Sequence, residues 1–157
     1  WQPGEGRGAR KTIQTASETF EIIDDAYNAN PASMAAALEV LAMSKAKRRI
    51  AILGDMRELG PNAPTFHTDL SKLQALENID LVHTVGPHME GLHLKLAKKQ
   101  QGLHAQTALD LLGRFENTLQ ADDCILVKAS LGTGLGVIVQ ALCTLGQTPQ
   151  KRTNKGT

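Results

Sequence analysis

Residues 24–31, with the sequence DDAYNANP, carry an unusual density of polar side chains for so short a segment. Two carboxylates at the end of a predicted strand are followed by two carboxamides ahead of a predicted helix. An aspartate in this position can accept hydrogen bonds from ribose hydroxyls, and asparagine amides can bind a base or a peptide as donors or acceptors. A purely local interpretation is equally open, in which Asn30 caps the helix and Asp24 lies in a turn.

Residues 53–60, LGDMRELG, form a second candidate loop at the end of an apolar run. Glycines permit tight backbone turns on both sides of the charged side chains Asp55, Arg57 and Glu58. His67 follows seven residues after the second of these glycines. A catalytic role is one interpretation of His67, because imidazole titrates near neutral pH, but a surface or helix-capping histidine is the favoured interpretation.

Residues 128–136, KASLGTGLG, are rich in glycine and follow another apolar run. They are not a phosphate loop, because that motif places its lysine after the glycines whereas this segment begins with Lys128. The dinucleotide pattern Gly-x-Gly-x-x-Gly is absent as well. Lys128 and Ser130 at a strand end could still bind an anion, and a flexible glycine-rich turn is the alternative.

Strand-like and helix-like segments alternate along the chain and position these loops. Strand-like runs occupy residues 19–25, 50–54, 80–86, 103–106 and 123–128. Apolar residues recur at helical spacing within residues 31–41, 66–73, 92–97, 108–119 and 135–145. After an N-terminal strand or hairpin, this order predicts an α/β fold with a mostly parallel sheet and helices on both faces. Because such sheets bind ligands at the carboxyl ends of their strands, the site is expected in the loops after Asp25, Leu53, Val85 and Lys128.

The composition excludes several other classes of protein. Lys and Arg number 17 against 16 Asp and Glu, a balance that argues against a nucleic-acid binder. Two cysteines cannot form a disulfide scaffold or a four-thiolate zinc site, and reduced cysteines fit a cytoplasmic protein. The apolar runs are too short to span a membrane. Four histidines show no metal-ligand spacing and are expected to be surface or partly buried residues: His83, His88, His93 and His104.

The two ends of the chain carry expectations of their own. A start at Trp1 rather than at methionine suggests a fragment of a longer protein. Residues 147–157 are polar, contain Lys151, Arg152 and Lys155, and have no acidic residue. This composition predicts a disordered polar tail beyond the folded domain.

Two of the candidate loops together resemble one protein family. DDAYNANPASMAAAL at residues 24–38, AILGDMRELG at residues 51–60 and the histidine downstream are similar to the C-terminal domain of the Mur ligases. Among these ligases, the similarity is to the branch that adds D-alanyl-D-alanine to UDP-N-acetylmuramoyl-tripeptide. VKAS at residues 127–130 resembles the Lys-Gly-Ser segment of the family, and PGEGRG at residues 3–8 resembles its interdomain hinge.

The resemblance implies a Rossmann-like, three-layer domain that closes over ATP and receives the incoming amino component. It assigns residues 1–10 to a hinge, residues 11–146 to the Mur ligase C-terminal domain and residues 147–157 to the polar tail. In the whole enzyme, ATP phosphorylates a carboxylate to an acyl phosphate, and the amine of D-alanyl-D-alanine attacks it to form an amide. ATP and Mg²⁺ would be held mainly by a covalently attached central domain, so this chain alone is expected to be inactive. The family also implies a monomer that works in peptidoglycan synthesis in the bacterial cytoplasm.

Site residues follow from the resemblance only where the motifs match. On the nucleotide side, Arg7 would approach the phosphates and Asp25 the ribose, while Tyr27, Asn28 and Asn30 would line the nucleotide. The residues expected to face the dipeptide are Gly54, Asp55, Met56, Arg57, Glu58, Lys128 and Ser130. No residue of this fragment is expected to be catalytic by itself or to bind a metal.

Two other interpretations of the whole chain stay open. A free-standing module that binds a nucleotide or a protein partner could have kept the fold and lost the ligase chemistry. A related ligase of the same fold could add a different amino acid, or glutamate to folate, although the YNANP motif at residues 27–31 argues against it. A phosphate loop encoded upstream of Trp1 would favour the ligase, and a start codon directly before Trp1 would favour the module.

Overall fold

The computed structural model describes residues 8–146, in which six strands form one sheet. The strands are β1 (Ala9–Gln14), β2 (Thr19–Asp25), β3 (Arg48–Gly54), β4 (Leu81–Val85), β5 (Gln101–Ala105) and β6 (Asp123–Lys128). Their order across the sheet is β1-β2-β6-β3-β4-β5. β1 pairs antiparallel with β2, and the other neighbouring strands pair in parallel. The expected N-terminal hairpin and mostly parallel sheet are therefore confirmed.

Helices cover both faces of this sheet. They are α1 (Pro31–Ala42), α2 (Ala63–Thr68), α3 (Met89–Lys95), α4 (Ala108–Phe115) and α5 (Gly136–Leu145). Met34 of α1 and Met89 of α3 belong to the apolar cluster on one face, and α2 packs against α3. Phe115 of α4 and Ile138 of α5 belong to the cluster on the other face. The chain thus has the three-layer α/β architecture that the sequence predicts.

The two central strands explain why the apolar runs in the sequence indicate a parallel sheet. Every residue of β6 is buried, and so is β3 from Ile50 onward. Ile50 and Ile52 enter the cluster beneath α4 and α5, whereas Ala51 and Leu53 enter the cluster beneath α1 and α3. Because both faces of a central strand are covered, its sequence is continuously apolar instead of alternating.

Three helices end earlier in the chain than their apolar spacing predicts. α2 ends at Thr68 and is followed by 3-10 segments up to Asn78, and α4 gives way to a 3-10 turn after Phe115. In α3, the leucines at 92, 94 and 96 are two residues apart. A step of two residues turns a helix by about 200°, so the middle leucine cannot share the core face with its neighbours. Leu94 is accordingly 71% exposed, and α3 ends at Lys95.

Candidate functional site

The loops that follow β2, β3 and β6 leave the sheet side by side, because these strands are neighbours in the order β2-β6-β3. We call residues 24–31, 54–60 and 128–134, together with the loop before α3, the carboxyl-edge site. The sequence predicted this edge from the rule that parallel strands end at a common side. Hydrogen bonds between the loops determine which of their side chains a ligand can reach.

Lys128 and Asp25 form an internal ion pair at the ends of two adjacent strands. The parallel register of β2 and β6 places the two residues opposite each other, with 2.7 Å between Lys128 Nζ and Asp25 Oδ2. Lys128 Nζ also donates to the carbonyl of Asn28 at 2.9 Å. The side chain of Lys128 is 2% exposed and that of Asp25 is 19% exposed. The lysine charge is therefore used inside the protein, and only the aspartate of this pair reaches the surface.

Asp55 is held by the start of α3. Its carboxylate accepts hydrogen bonds from the backbone N–H groups of His88, at 3.2 Å, and Met89, at 2.9 Å. Gly86 has a φ of 110°, and a Cβ on this residue would lie 2.5 Å from the Asp55 carboxylate. The close approach of the carboxylate to the backbone requires glycine at this position. Asp55 is buried and fixes the loop after β3 against the loop after β4.

Four hydrogen bonds join the loop after β3 to the loop after β6. The backbone N–H of Arg57 donates to Ser130 Oγ at 2.8 Å, and Arg57 Nη2 donates to the carbonyl of Gly132 at 3.0 Å. In the reverse direction, the Ser130 N–H and the Thr133 hydroxyl both donate to the carbonyl of Asp55, at 3.3 and 2.9 Å. The segment after Lys128 is therefore a bonded part of the site and not a free glycine-rich turn.

His67 lies beneath the loop after β3 and is 0% exposed. Its Nδ1 lies 2.6 Å from the carbonyl of Ala63, and its Nε2 accepts the backbone N–H of Met56 at 2.9 Å. Burial lowers the pKa of His67, with the nearby carbonyl and the charge of Asp55 opposing the shift. The expectation of a surface or capping histidine is wrong, because the ring fills a buried position under the loop. The catalytic interpretation lacks a free ring nitrogen, since both nitrogens are hydrogen-bonded.

The segment after β2 supports the local interpretation of two of its polar residues. The side chain of Asn30 accepts the N–H of Ser33 at 2.9 Å, and Ser33 Oγ accepts the N–H of Asn30 at 3.0 Å. These reciprocal bonds form a capping box at the start of α1. Asp24 Oδ1 accepts the N–H of Ala26 at 3.4 Å, as expected for a turn. Helix capping therefore uses the side-chain oxygen of Asn30.

The predicted site residues divide sharply by exposure. Those that are buried are Gly54, Asp55, Met56, Lys128 and Ser130. Those that remain exposed are Asn28, Asn30, Arg57 and Glu58, while Asp25 and Tyr27 are half-buried. Arg7 lies outside the described residues, as does the predicted tail. Five of the seven residues that were expected to face a dipeptide are therefore buried and belong to the scaffold.

An open cavity of about 550 Å³ lies beside the exposed charges of the loop after β3. Its wall includes Arg57, Glu58, Leu59, Pro87 and His88. Glu58 has a φ of 61°, a left-handed conformation that is uncommon for residues other than glycine. Pro87 and His88 follow β4 and were missed as site residues by the sequence analysis, although the loop after Val85 was expected at this edge. A glycine followed by proline at residues 86–87 was the available signal that this loop turns sharply.

Metal ligands and membrane spans are not found within residues 8–146. No group of three or more His, Cys, Asp and Glu side chains in this part of the chain could hold a metal ion. No helix among the same residues is long and apolar enough to cross a membrane. Two carboxylates of the site already have partners, since Asp25 pairs with Lys128 and Asp55 accepts the N–H groups of His88 and Met89.

A mostly parallel sheet between two layers of helices, with a polar carboxyl edge, defines the class of Rossmann-like α/β domains, which bind ligands at that edge. Within this class, the family described as Mur ligase, glutamate ligase domain, matches residues 9–131. The chain belongs to this family. The predicted resemblance to the C-terminal domain of Mur ligases is confirmed.

Curated relatives and solved structures agree with this assignment. UDP-N-acetylmuramoyl-tripeptide–D-alanyl-D-alanine ligase from Synechocystis sp. is 36% identical over 127 residues, 77% of this chain and 27% of the relative. The ligase of the same name from Bacillus subtilis is 35% identical over 140 residues, 86% of this chain and 30% of the relative. A crystal structure of MurF from Acinetobacter baumannii has 30% identity and a TM-score of 0.71, covering 91% of this chain and 31% of that protein. The chain therefore spans less than a third of the length of these relatives.

A second solved structure shares the fold at lower identity. MurF ligase from Thermotoga maritima in complex with ADP has a TM-score of 0.70 and 24% identity, covering 94% of this chain and 32% of that protein. At this identity the likeness shows the fold alone. The Rossmann-like expectation agrees with it.

Proposed function

We propose that this chain is the C-terminal domain of a ligase that joins D-alanyl-D-alanine to UDP-N-acetylmuramoyl-tripeptide at the expense of ATP. Residues 1–10 would connect it to a central domain, the last two of them already paired in β1. Residues 11–146 would form the rest of the folded unit, and residues 147–157 would be a polar tail. The whole enzyme would be a monomer in the bacterial cytoplasm and would serve peptidoglycan synthesis. The relatives that match this chain carry that ligase name, and each is about three times its length.

One observation carries the proposal. Motif segments far apart in sequence meet at one edge of the sheet. Lys128 Nζ bonds Asp25 at 2.7 Å across 103 positions, and the Arg57 backbone N–H bonds Ser130 at 2.8 Å across 73 positions. A buried scaffold therefore presents a small set of exposed polar groups from all the motifs. This is the arrangement expected of a binding surface that closes over ligands held by another domain.

The exposed groups suggest a nucleotide side and a dipeptide side. On the nucleotide side, Asp25 keeps exposed carboxylate surface for a ribose hydroxyl, next to Tyr27, Asn28 and Asn30. Arg7 would join the phosphates from the hinge. Lys128 acts indirectly on this side, because its ion pair sets the position of the Asp25 carboxylate.

On the dipeptide side, a free dipeptide carries one carboxylate and one ammonium group. The Arg57 guanidinium, held through Nη2 by Gly132, suits the carboxylate, and the neighbouring Glu58 suits the ammonium. Gly54, Asp55, Met56 and Ser130 would hold this loop in place. Arg57 and Glu58 are the charged members of the cavity wall that the scaffold leaves exposed.

The reaction would follow from positioning and electrostatics. ATP phosphorylates the terminal carboxylate of the tripeptide, and the amine of D-alanyl-D-alanine attacks the acyl phosphate and releases phosphate as the amide forms. Asp25 and Asp55 do not fit a Mg²⁺ site, because Asp25 is paired with Lys128 and Asp55 accepts two backbone N–H groups. We assign Mg²⁺ and most phosphate contacts to the central domain.

The experiment is a ligation assay on the full-length gene product with two variants. Asp25→Asn should raise KM for ATP about tenfold and leave KM for D-alanyl-D-alanine unchanged, because one hydrogen bond to an ionised group is lost. Arg57→Ala should raise KM for the dipeptide by about tenfold to hundredfold and leave KM for ATP unchanged. Glu39→Gln, on the exposed side of α1, is the control. A full-length protein that ligates glutamate or another amino acid instead would refute the proposal.

A further inference from the structure

Three consecutive backbone N–H groups at the start of the loop after β3 donate to three different parts of the molecule. The donors are residues 55, 56 and 57. The acceptors are, in the same order, the carbonyl of Val85, Nε2 of His67 and the hydroxyl of Ser130, at 3.1, 2.9 and 2.8 Å. The middle acceptor differs from the others, because an imidazole nitrogen can be protonated in the accessible pH range.

The second ring nitrogen fixes the tautomer of His67. Nδ1 lies 2.6 Å from the carbonyl of Ala63, which can only accept, so Nδ1 must carry the proton. Nε2 is then a lone-pair acceptor for the Met56 N–H. A proton on Nε2 would place two hydrogens against each other and break this bond. The contact with Met56 therefore exists only for the neutral ring.

The surroundings of His67 favour that neutral form. The ring is fully buried and stacks on the ring of His88, with 5.0 Å between centroids. Burial lowers the pKa of His67, and a charge on His88 would lower it further, while Asp55 acts in the opposite direction. Asp55 from its own loop and His88 from the start of α3 are the titratable groups that influence the ring. At neutral pH the acceptor is therefore available.

The loop needs such a constraint because its backbone is strained directly beyond the bonded residues. Glu58 adopts a φ of 61°, a left-handed conformation that is energetically unfavourable for a residue with a Cβ. Such a conformation persists only where the surrounding structure determines it. Fixing the N–H groups of the residues before it, Met56 among them, supplies that determination.

We propose that His67 is a positioning residue whose neutral imidazole selects the loop conformation that turns Arg57 and Glu58 toward the cavity. Protonation at Nε2 releases the Met56 N–H and loosens this loop. The hydrogen bond itself follows from the geometry of the chain, and its consequence for dipeptide binding rests on the proposed function. His67 acts through Met56 and touches no reacting atom.

The first test uses ¹H–¹⁵N NMR of the 157-residue chain. Long-range ¹H–¹⁵N spectra should show His67 as the Nδ1–H tautomer at neutral pH, with no substitution needed. In His67→Leu, which keeps bulk and removes the acceptor, hydrogen exchange of the Met56 amide should accelerate about tenfold. In His67→Gln, which returns an acceptor near the position of Nε2, it should stay close to the wild-type rate. The Nε2–H tautomer, or equal exchange in the leucine variant, would overturn the proposal.

The second test is the pH profile of the same amide. Protection of Met56 should fall in step with protonation of the His67 ring in the wild-type chain, and the profile should be flat in His67→Gln. His88→Gln is the control and should keep the pH dependence. A pH-independent wild-type profile across the titration of His67 would refute the inference.

Ligand-free readouts separate this inference from the proposed function. If the full-length protein has no ligase activity, the NMR results still decide the role of His67 in the loop. If the protein is the ligase, His67→Leu should raise KM for D-alanyl-D-alanine about tenfold with little change in KM for ATP, and His67→Gln should restore it. Equal increases in both constants would indicate general damage and would contradict a positioning role.

Discussion

The carboxyl-edge site and the far side of the sheet differ in whether their buried polar atoms have hydrogen-bond partners. At the carboxyl edge, Lys128 is paired with Asp25, and both ring nitrogens of His67 are bonded. We call the far side of the sheet the β4–β5 margin and define it by His83, His93, His104 and Phe115. There, His83 Nε2 and His93 Nδ1 are buried without a partner in the described part of the chain. Complete bonding at the edge specifies loop conformations, whereas the margin accommodates histidines as neutral rings.

His83 makes the contrast with His67 concrete, because both histidines are buried, His83 within β4 and His67 within α2. His83 Nδ1 accepts the N–H of Leu103 at 2.9 Å, and its ring meets Phe115 edge to face with 5.2 Å between centroids. Burial lowers the pKa of His83 to about 4, and Arg48 and Arg114 act in the same direction. Burial thus keeps the His83 ring neutral, although no group in the described residues bonds its Nε2. We therefore expect acid to destabilise the β4–β5 margin.

The largest effect is expected from breaking the bonded side of the comparison at Lys128. Lys128→Met should destabilise the fold by about 4 kcal/mol, because it leaves the Asp25 carboxylate partly buried without its partner. Urea unfolding at neutral pH measures this loss. Lys47→Met is the matched control, since the Lys47–Asp122 pair is well exposed and should contribute less than about 1 kcal/mol. Equal losses in the two variants would show that burial of the pair has no energetic consequence.

The next effect belongs to the margin and depends on pH. The pKa of His83 is about 4 in the folded chain against an ordinary value of 6.5, so the unfolded chain binds the proton first. Stability is therefore complete above about pH 6.5, falls as the pH drops toward 4, and loses about 3 kcal/mol in total. His83→Leu should flatten this decline by about 1.4 kcal/mol per pH unit. Parallel curves for the two chains in urea unfolding at a series of pH values would contradict the assignment.

The sequence predicted the strands and helices of the sheet fold because the signals for these elements are local. A continuous apolar run is sufficient to indicate a buried parallel strand, as in β3 and β6, and Pro31 marks the first residue of α1. The sequence predicted that α3 exists but misplaced its limits, because its leucines repeat without helical spacing. Leu92 and Leu94 look equivalent in sequence, yet one is buried and the other exposed.

The site was predictable only to the level of its loops. The alternation of strands and helices indicates which loops share an edge, but it does not state that β6 lies between β2 and β3. That insertion is what places Lys128 opposite Asp25, a residue 103 positions away. For the same reason, no local signal revealed that His67 lies under Met56. Several polar residues that were expected to face a ligand are therefore hydrogen-bonded to one another instead.

A smaller effect tests the close contact between the loops after β3 and β4. Gly86→Ala should destabilise by about 2 kcal/mol, because the residue has a φ of 110° and its Cβ would meet the Asp55 carboxylate at 2.5 Å. Gly113→Ala is the matched control within α4, where a Cβ would have nothing within 4 Å. That variant should stabilise the chain by about 0.5–1 kcal/mol. Thermal unfolding of both variants gives the comparison, and destabilisation by both would contradict it.

The smallest expected effect separates two roles of one residue in the carboxyl-edge site. Asn30→Ala should cost about 1 kcal/mol through loss of the capping box with Ser33, whereas Asn30→Ser should keep the cap and cost only a few tenths. In the full-length protein, both variants lack the amide group that the nucleotide would contact. If Asn30 serves ATP as well as α1, KM for ATP should rise in both variants while stability falls only in the alanine variant. If KM for ATP follows stability, Asn30 is a helix cap alone and the nucleotide side of the site is reduced to Asp25, Tyr27 and Asn28.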